Sequence, residues 1–291
     1  MSERLPDPPA GEGALAIICG GGSLPYALAD AAIRRGRRVI LFALRGWADP
    51  ARVAAYPHHW SWMGQFGRFI RIATREGCRD VVFIGSVGRP SILQLRPDIR
   101  VLGLLPRILR LFRGGDDRLL SGVGRIFEEH GFRLMGPKDV APELLMPLGP
   151  VGAREPGARD QADIAYGLSL LRATSPFDIG QAAIVADNHV LALEGPEGTD
   201  ATMARVAELR RSGRIRAPGG VLIKALKLGQ DQRIDLPSIG PQTIASAAAA
   251  GLSGVAVVAG TTIVAEPERI AAEADRCGIF LVGVPADETA P

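Results

Sequence analysis

Between a short apolar run and an alanine-rich stretch, the segment KALKLGQDQRIDLPSIGPQT gathers Lys224, Lys227, Asp231, Arg233 and Asp235, with prolines and glycines restricting the loop. Cations and carboxylates in one loop suit a site for phosphate and metal. The cations offset phosphate charge while a carboxylate binds the metal or orients a water. A solvated loop laced with ion pairs fits the same composition. A second group of carboxylates, Asp116 and Asp117, follows two glycines in GGDDRLL. Adjacent carboxylates hold a hard cation such as Mg²⁺ through oxygen or water ligands, and helix capping is the structural alternative. Thr199 and Asp200 open a helix after the turn EGPEG, where a cap and a ligand-binding role both fit.

The sharpest local signal lies near the N-terminus, where ICGGGSLPYALADAA runs a strand into Gly20, Gly21, Gly22 and Ser23 before a helix opening at Leu24 and Pro25. Glycines let a backbone approach a ligand closely, and a helix start offers unbonded N–H groups to phosphate. The spacing matches neither a Walker A loop nor a full GxGxxG. A tight strand–helix turn and an anion cradle therefore both remain open. Arg89, in FIGSVGRP, stands just past a strand end, where open α/β sheets carry their active-site loops. Its guanidinium serves there as a phosphate clamp or as a surface ion pair.

These residues need a scaffold, and the hydrophobic pattern supplies one. In the first half, short apolar runs (ALAIIC, RVILFAL, DVVFIG) alternate with segments of helical period, which predicts a parallel sheet covered by helices. We expect an α/β architecture with a Rossmann-like N-terminal domain over 1–150 and a second, mixed α/β domain over 151–291. The stretch 146–163, rich in proline and glycine and without hydrophobic period, is expected as the linker. Beyond it, a helix over about 162–172 precedes QAAIVAD and HVLALEG, whose separation by Asp187 and Asn188 predicts a hairpin. Further strands GVLIKAL, GVAVVAG, TTIVAE and IFLVGV alternate with helices PQTIASAAAAGL and PERIAAEADRCG.

Composition narrows the function classes. The 291 residues, 47% of them hydrophobic, suffice for more than one core. The 34 basic and 31 acidic residues are interspersed and leave a formal charge of +3, which argues against nucleic acid as a partner. Cys19, Cys78 and Cys277 lack paired spacing and are expected as reduced thiols. The four histidines form no metal motif, and His58 and His59 in YPHHWSWMG read as packing or as part of an acyl groove. No GxSxG elbow is present. The opening residues resemble no signal peptide, so a cytoplasmic location is expected. No apolar run reaches the ~20 residues of a membrane span, and the basic, apolar stretch VLGLLPRILRLFR at 101–113 reads either as a helix buried between domains, which its high apolar content favours, or as the candidate for peripheral contact with an inner membrane.

The order of motifs resembles the UDP-2,3-diacylglucosamine pyrophosphatase family. The matching pieces are GGGSLP, the VxRP element at Val87, GDDRLL, FDIGQAAIV, EGTDATM, GGVLIKALK and RIDLPSIGPQT, and they span nearly the whole chain. Each piece is short, but their joint order is specific. The chain departs from the pattern at Ser86, where asparagine is usual, and at Leu226 and Leu228, where prolines commonly flank the lysine. The resemblance implies a Mg²⁺-dependent hydrolysis in bacterial lipid A synthesis. Its products would be UMP and 2,3-diacylglucosamine 1-phosphate, with water attacking the phosphorus nearer the sugar and the substrate held between two domains. Asp235 is then the strongest candidate for catalysis, with Lys224 and Asp200 beside it. Gly20, Gly21, Gly22, Ser23, Leu24, Pro25, Arg89, Thr199 and Lys227 are expected to bind substrate, and Asp235, Asp116 and Asp117 to bind metal. The oligomeric state stays open, a homodimer included. Two other classes remain: a nucleotide-dependent oxidoreductase, which requires an acidic ribose ligand where LFALRGWADP offers Arg45, and a non-catalytic ligand-binding module.

Overall fold

The computed structural model describes residues 13–88, 96, 98, 116–227 and 229–286. Arg89 and the basic stretch 101–113 lie outside these residues, as do the side chains of Asp116 and Asp117. The chain divides into two compact units, one of residues 1–142 with 231–235, the other of residues 143–230 with 236–291.

In the first unit a parallel sheet follows the order β3-β2-β1-β4-β5, with β1 at Ala14–Cys19, β2 at Val39–Leu44, β3 at His58–Ser61, β4 at Cys78–Ile84 and β5 at Arg133–Leu134. The strand β1 is apolar on both faces and nearly all buried, as a central strand sandwiched by helices must be. Its neighbours β2 and β4 pair with it in parallel, Ile17 opposite Leu41 and Val82. Helices α1 (Leu24–Arg34), α2 (Pro50–Val53), α3 (Phe66–Arg75), α4 (Asp116–Glu129) and α5 (Pro137–Val140) make the connections. Phe69 of α3 and Phe127 of α4 meet at 5.0 Å between ring centroids, and Phe42 and Phe132 close the same cluster. That cluster fixes α3 and α4 against one face and leaves the C-terminal ends of the strands for loops.

The second unit carries a mixed sheet of order β6-β13-β11-β9-β7-β8. Its centre, β9 (Val221–Lys224), β11 (Gly254–Val258) and β13 (Phe280–Val284), is parallel. Strand β7 (Ala182–Ala186) runs antiparallel to β9 and joins β8 (His189–Leu193) as the expected hairpin. Asp187 and Asn188 both take φ of 56° there, the left-handed pair that a two-residue turn between twisted strands requires. The buried Asp163 carboxylate accepts both of their N–H groups, at 3.1 and 2.7 Å. Helix α6 (Ala158–Thr174) covers one face through Ile164, Leu168 and Leu171. Helices α7 (Thr199–Arg211), α8 (Pro241–Ala249) and α9 (Pro267–Cys277) cover the other through Met203, Val206, Ile244 and Ile270. A short parallel pair, β10 (Ser238–Ile239) with β12 (Ile263–Val264), stands apart.

The stretch expected as a linker is more structured than its composition suggests. It holds β6 (Gly149–Val151), an edge strand antiparallel to β13, and α6 begins at Ala158, about a turn earlier than its apolar period. Pro150 is tolerated in β6 because an edge strand leaves one set of N–H groups unused. The first turn of α6 is polar, and the Asp160 carboxylate accepts the Gly157 N–H at 3.0 Å.

Candidate active site

In the first unit the glycine-rich turn does two jobs. Gly20 donates its N–H to Ile84 O at 2.9 Å, and Gly21 exchanges N–H and carbonyl with Ser86 at 2.8 and 2.9 Å. This bridge ties the turn after β1 to the turn after β4, at the point where strand order reverses and open α/β sheets bind ligands. A Cβ on Gly20 would meet Ser86 O at 2.8 Å, and one on Gly21 would meet Trp47 O at 3.1 Å. These two glycines are therefore needed for backbone packing. Gly22, at φ +86°, has open space around it. Among the described residues no acceptor meets the N–H groups of Gly22, Ser23 or Leu24. Ser23 caps α1 without a side-chain bond, and Pro25 follows in the first turn. Donors left unbonded at a helix start are what an anion requires.

Two buried thiols lie in this sheet, Cys19 at the end of β1 and Cys78 at the start of β4. Burial pushes the Cys19 thiol up to about 11 and the Cys78 thiol up to about 12, so both are neutral. Arg45, just past β2, stacks over Trp60 at 5.5 Å and Trp62 at 5.9 Å, and Arg96 lies 4.0 Å from Trp62. Asp49 is turned to capping, accepting from Ala51 N at 2.9 Å. The position where a dinucleotide fold carries its acidic ribose ligand thus holds a guanidinium. His59 pairs with Glu76 at 3.1 Å, which assigns this histidine to packing of the sheet edge.

The five residues 231–235 fold with the first unit. Asp231 accepts the Arg233 backbone N–H at 3.0 Å and two guanidinium N–H groups at 3.0 and 2.8 Å. Arg233 also reaches Glu128 of α4 at 2.7 Å. The Arg233 bonds hold the Asp231 carboxyl below the usual carboxylate range and raise the guanidinium in turn. Ile234 fills the space beside Gly124, where a Cβ would come within 2.7 Å of its Cδ1. Asp235 is half-buried and its N–H donates to Asp231 O at 3.1 Å. Asp231 and Arg233 are thus occupied with each other. Asp116 and Asp117 form the first residues of α4. No group of three or more His, Cys, Asp or Glu side chains sits together among the described residues.

In the second unit, several polar residues collect where the parallel strands end. Lys224, the last residue of β9, is 6% exposed, and its ammonium donates to Ser238 O at 3.1 Å. Lys227 pairs with Asp178 at 2.5 Å. Across the sheet, Ala182 is the partner of Lys224. The residue before Ala182, Gln181, donates its backbone N–H to Glu194 at 2.8 Å. Thr199 donates its hydroxyl to the other oxygen of Glu194 at 2.7 Å. Gly198, at φ +83°, is the capping position of α7, and Thr199 makes no cap. Asp200 is exposed in the first turn of that helix, with no partner among the described residues. This unit therefore gathers Lys224, Lys227 and Thr199 at one sheet end and leaves Asp200 in solvent. Sequence reading passed over Glu194, Gln181 and Asp178. A lone glutamate before Gly-Pro reads as turn, and the only signal was the presence of FDIGQ among the matching motifs.

Comparison with known proteins covers both units. The LpxI N-terminal domain family matches residues 14–144, and the LpxI C-terminal domain family matches residues 147–282. The chain is 42% identical over 276 residues to a Caulobacter vibrioides protein named UDP-2,3-diacylglucosamine pyrophosphatase LpxI, covering 94% of this chain and 98% of the relative.

Proposed function

The chain belongs to the LpxI family, and from that premise we propose that it hydrolyses the pyrophosphate bond of UDP-2,3-diacylglucosamine, releasing UMP and 2,3-diacylglucosamine 1-phosphate for lipid A synthesis. The observation that carries this reading is the end-to-end match to a pyrophosphatase of that name, 42% identical over 98% of its length. Mg²⁺ is the proposed cofactor. This cation keeps several waters and is commonly bound by one or two carboxylates plus substrate phosphates, so the lack of a larger acidic cluster among the described residues is compatible with it. Asp235, with Asp116 and Asp117 as further donors, would hold it. When bound it would supply positive charge against the diphosphate.

The side chains divide the remaining work. The unbonded N–H groups of Gly22, Ser23 and Leu24 would hold a nucleotide phosphate. Lys224 and Lys227 would offset diphosphate charge, and Lys224 is well suited because its stem is buried and its ammonium is held by Ser238 O. Asp235 would orient the attacking water. The Asp231–Arg233–Glu128 bonds fix the short segment that carries Asp235.

The test is incubation with UDP-2,3-diacylglucosamine, following UMP with added Mg²⁺ and with a chelator. UMP should appear with Mg²⁺ and stop on chelation. Failure to release UMP under saturating Mg²⁺, together with a melting shift given by NAD(P) alone, would overturn the reading in favour of a nucleotide-dependent oxidoreductase.

A further inference from the structure

Glu194 is a buried carboxylate, 7% exposed, in a unit where both of its oxygens are engaged. One accepts the Gln181 N–H at 2.8 Å and the other accepts the Thr199 hydroxyl at 2.7 Å. The backbone is shaped around it: a Cβ on Gly180 would lie 2.6 Å from Glu194 Cγ and 2.6 Å from Glu194 O. Glycine at that position is what allows the chain before β7 to lie against this side chain. Beside it, the Gln181 side-chain oxygen is buried and meets no donor among the described residues.

The direction of the Thr199 bond has a chemical consequence. A threonine hydroxyl carries one proton and two lone pairs, and here the proton is given to Glu194. The oxygen can then meet a ligand only as an acceptor. A phosphate oxygen, itself an acceptor, finds no proton on it and faces the Glu194 carboxylate. A ligand hydroxyl or amide N–H finds a suitable partner in Thr199 Oγ1.

We propose that Glu194, itself held by the Gln181 backbone N–H, is a positioning residue that fixes Thr199 as an acceptor for a hydroxyl or amide N–H of the substrate, so that this end of the sheet reads a neutral donor and not the diphosphate. The inference rests on the proposed reaction. In that substrate the donor belongs either to the uridine half or to the acylated sugar half.

The test compares Glu194→Gln, Thr199→Val, Thr199→Ser and the Glu194→Gln/Thr199→Val double variant in UMP-release kinetics, with folding checked by thermal melting. In Glu194→Gln the fixed Gln181 N–H selects the new amide oxygen, which turns the amide NH₂ toward Thr199 and inverts its hydroxyl. KM should therefore rise about tenfold with kcat within about twofold, the loss of one hydrogen bond. Thr199→Val should show a similar rise, Thr199→Ser should stay close to wild type, and the double variant should be no worse than either single change, because one interaction is lost once. Inhibition constants for UMP and for 2,3-diacylglucosamine 1-phosphate then assign the donor. The product whose constant shifts in Thr199→Val carries it. Independent, multiplying losses in the double variant would overturn the proposal, as would a fall in kcat at constant KM or no shift for either product. Absence of UMP release by the unaltered enzyme would overturn the reaction itself, a separate outcome from any variant-to-wild-type ratio.

Discussion

Asp235 lies four residues beyond Asp231, and its backbone N–H is bonded to the Asp231 carbonyl. The neighbouring charges at Asp231, Arg233 and Glu128 satisfy one another. At the scale of residues these bonds hold the segment that carries Asp235, the carboxylate proposed for chemistry. Asp235→Ala should lower UMP release by at least about a thousandfold while the protein stays folded and still binds substrate, because most binding groups lie elsewhere. Turnover within about tenfold of wild type at saturating Mg²⁺ would move the role to Asp116, Asp117 or Asp200. Asp231 makes a pH-dependent contribution of known sign. Its carboxyl is depressed by Arg233, so the stabilisation is present above the unfolded value of about 3.9 and is lost as pH falls through the lower folded value. Asp235 stands out in the sequence because prolines, glycines and cations surround it within one loop. Glu194 does not stand out, because its partners Gln181 and Thr199 are separated from it in the chain and are brought to it by strand pairing.

At the scale of elements, the turn after β1 shows why glycine spacing alone was ambiguous. Three adjacent glycines have different reasons to be there: Gly20 and Gly21 admit the β4 turn, and Gly22 takes a positive φ in open space. Gly20→Ala should destabilise by about 1–3 kcal/mol, since its new methyl meets backbone atoms that cannot move aside. Gly22→Ala should cost about 1–2 kcal/mol from its left-handed conformation, and it should raise the KM for the UDP-sugar beyond what that loss explains. Urea denaturation and KM measured on both variants check this, and an unchanged KM in folded Gly22→Ala would confine the turn to a structural role. The other end of this sheet is held by Asp80, which takes Arg133 in a two-pronged bond at 2.6 and 2.7 Å and also pairs with Arg37. Burial pushes the Asp80 carboxyl up, but Arg133 and Arg37 outweigh it and hold it low. Asp80→Asn should cost about 2–4 kcal/mol near neutral pH by leaving Arg37 buried with a weakened partner. Its difference from wild type should shrink as pH falls below about 4, the sign expected of a depressed carboxylate. The parallel sheet and the hairpin were legible because their periods and turn residues are local. The edge strand β6 was not, because an edge strand places few demands on its sequence and Pro150 reads as a break.

For the molecule as a whole, the sequence carried the alternation of strands and helices and the ordered motifs of the family, but not the folding of residues 231–235 with the first unit. A five-residue segment has no hydrophobic period of its own, and Ile234 finds its place only once α4 exists. Surface chemistry is the remaining question at this scale. No helix among the described residues is long and apolar enough to cross a membrane, while the proposed substrate carries acyl chains that partition into a bilayer. The stretch VLGLLPRILRLFR at 101–113 combines leucine and isoleucine near helical spacing with Arg107, Arg110 and Arg113, a composition suited either to a packed helix or to an interfacial one. An arginine near an anionic surface contributes about 1 kcal/mol. Reversing all three should therefore cut partition by at least about a hundredfold at low salt, and the native interaction should weaken as salt rises. Flotation with anionic liposomes reads this directly. The native protein is expected to float and the Arg107→Glu/Arg110→Glu/Arg113→Glu variant to remain at the bottom with its melting temperature preserved. Equal flotation of the two proteins would assign the stretch to packing and leave the enzyme to meet its substrate without a basic anchor.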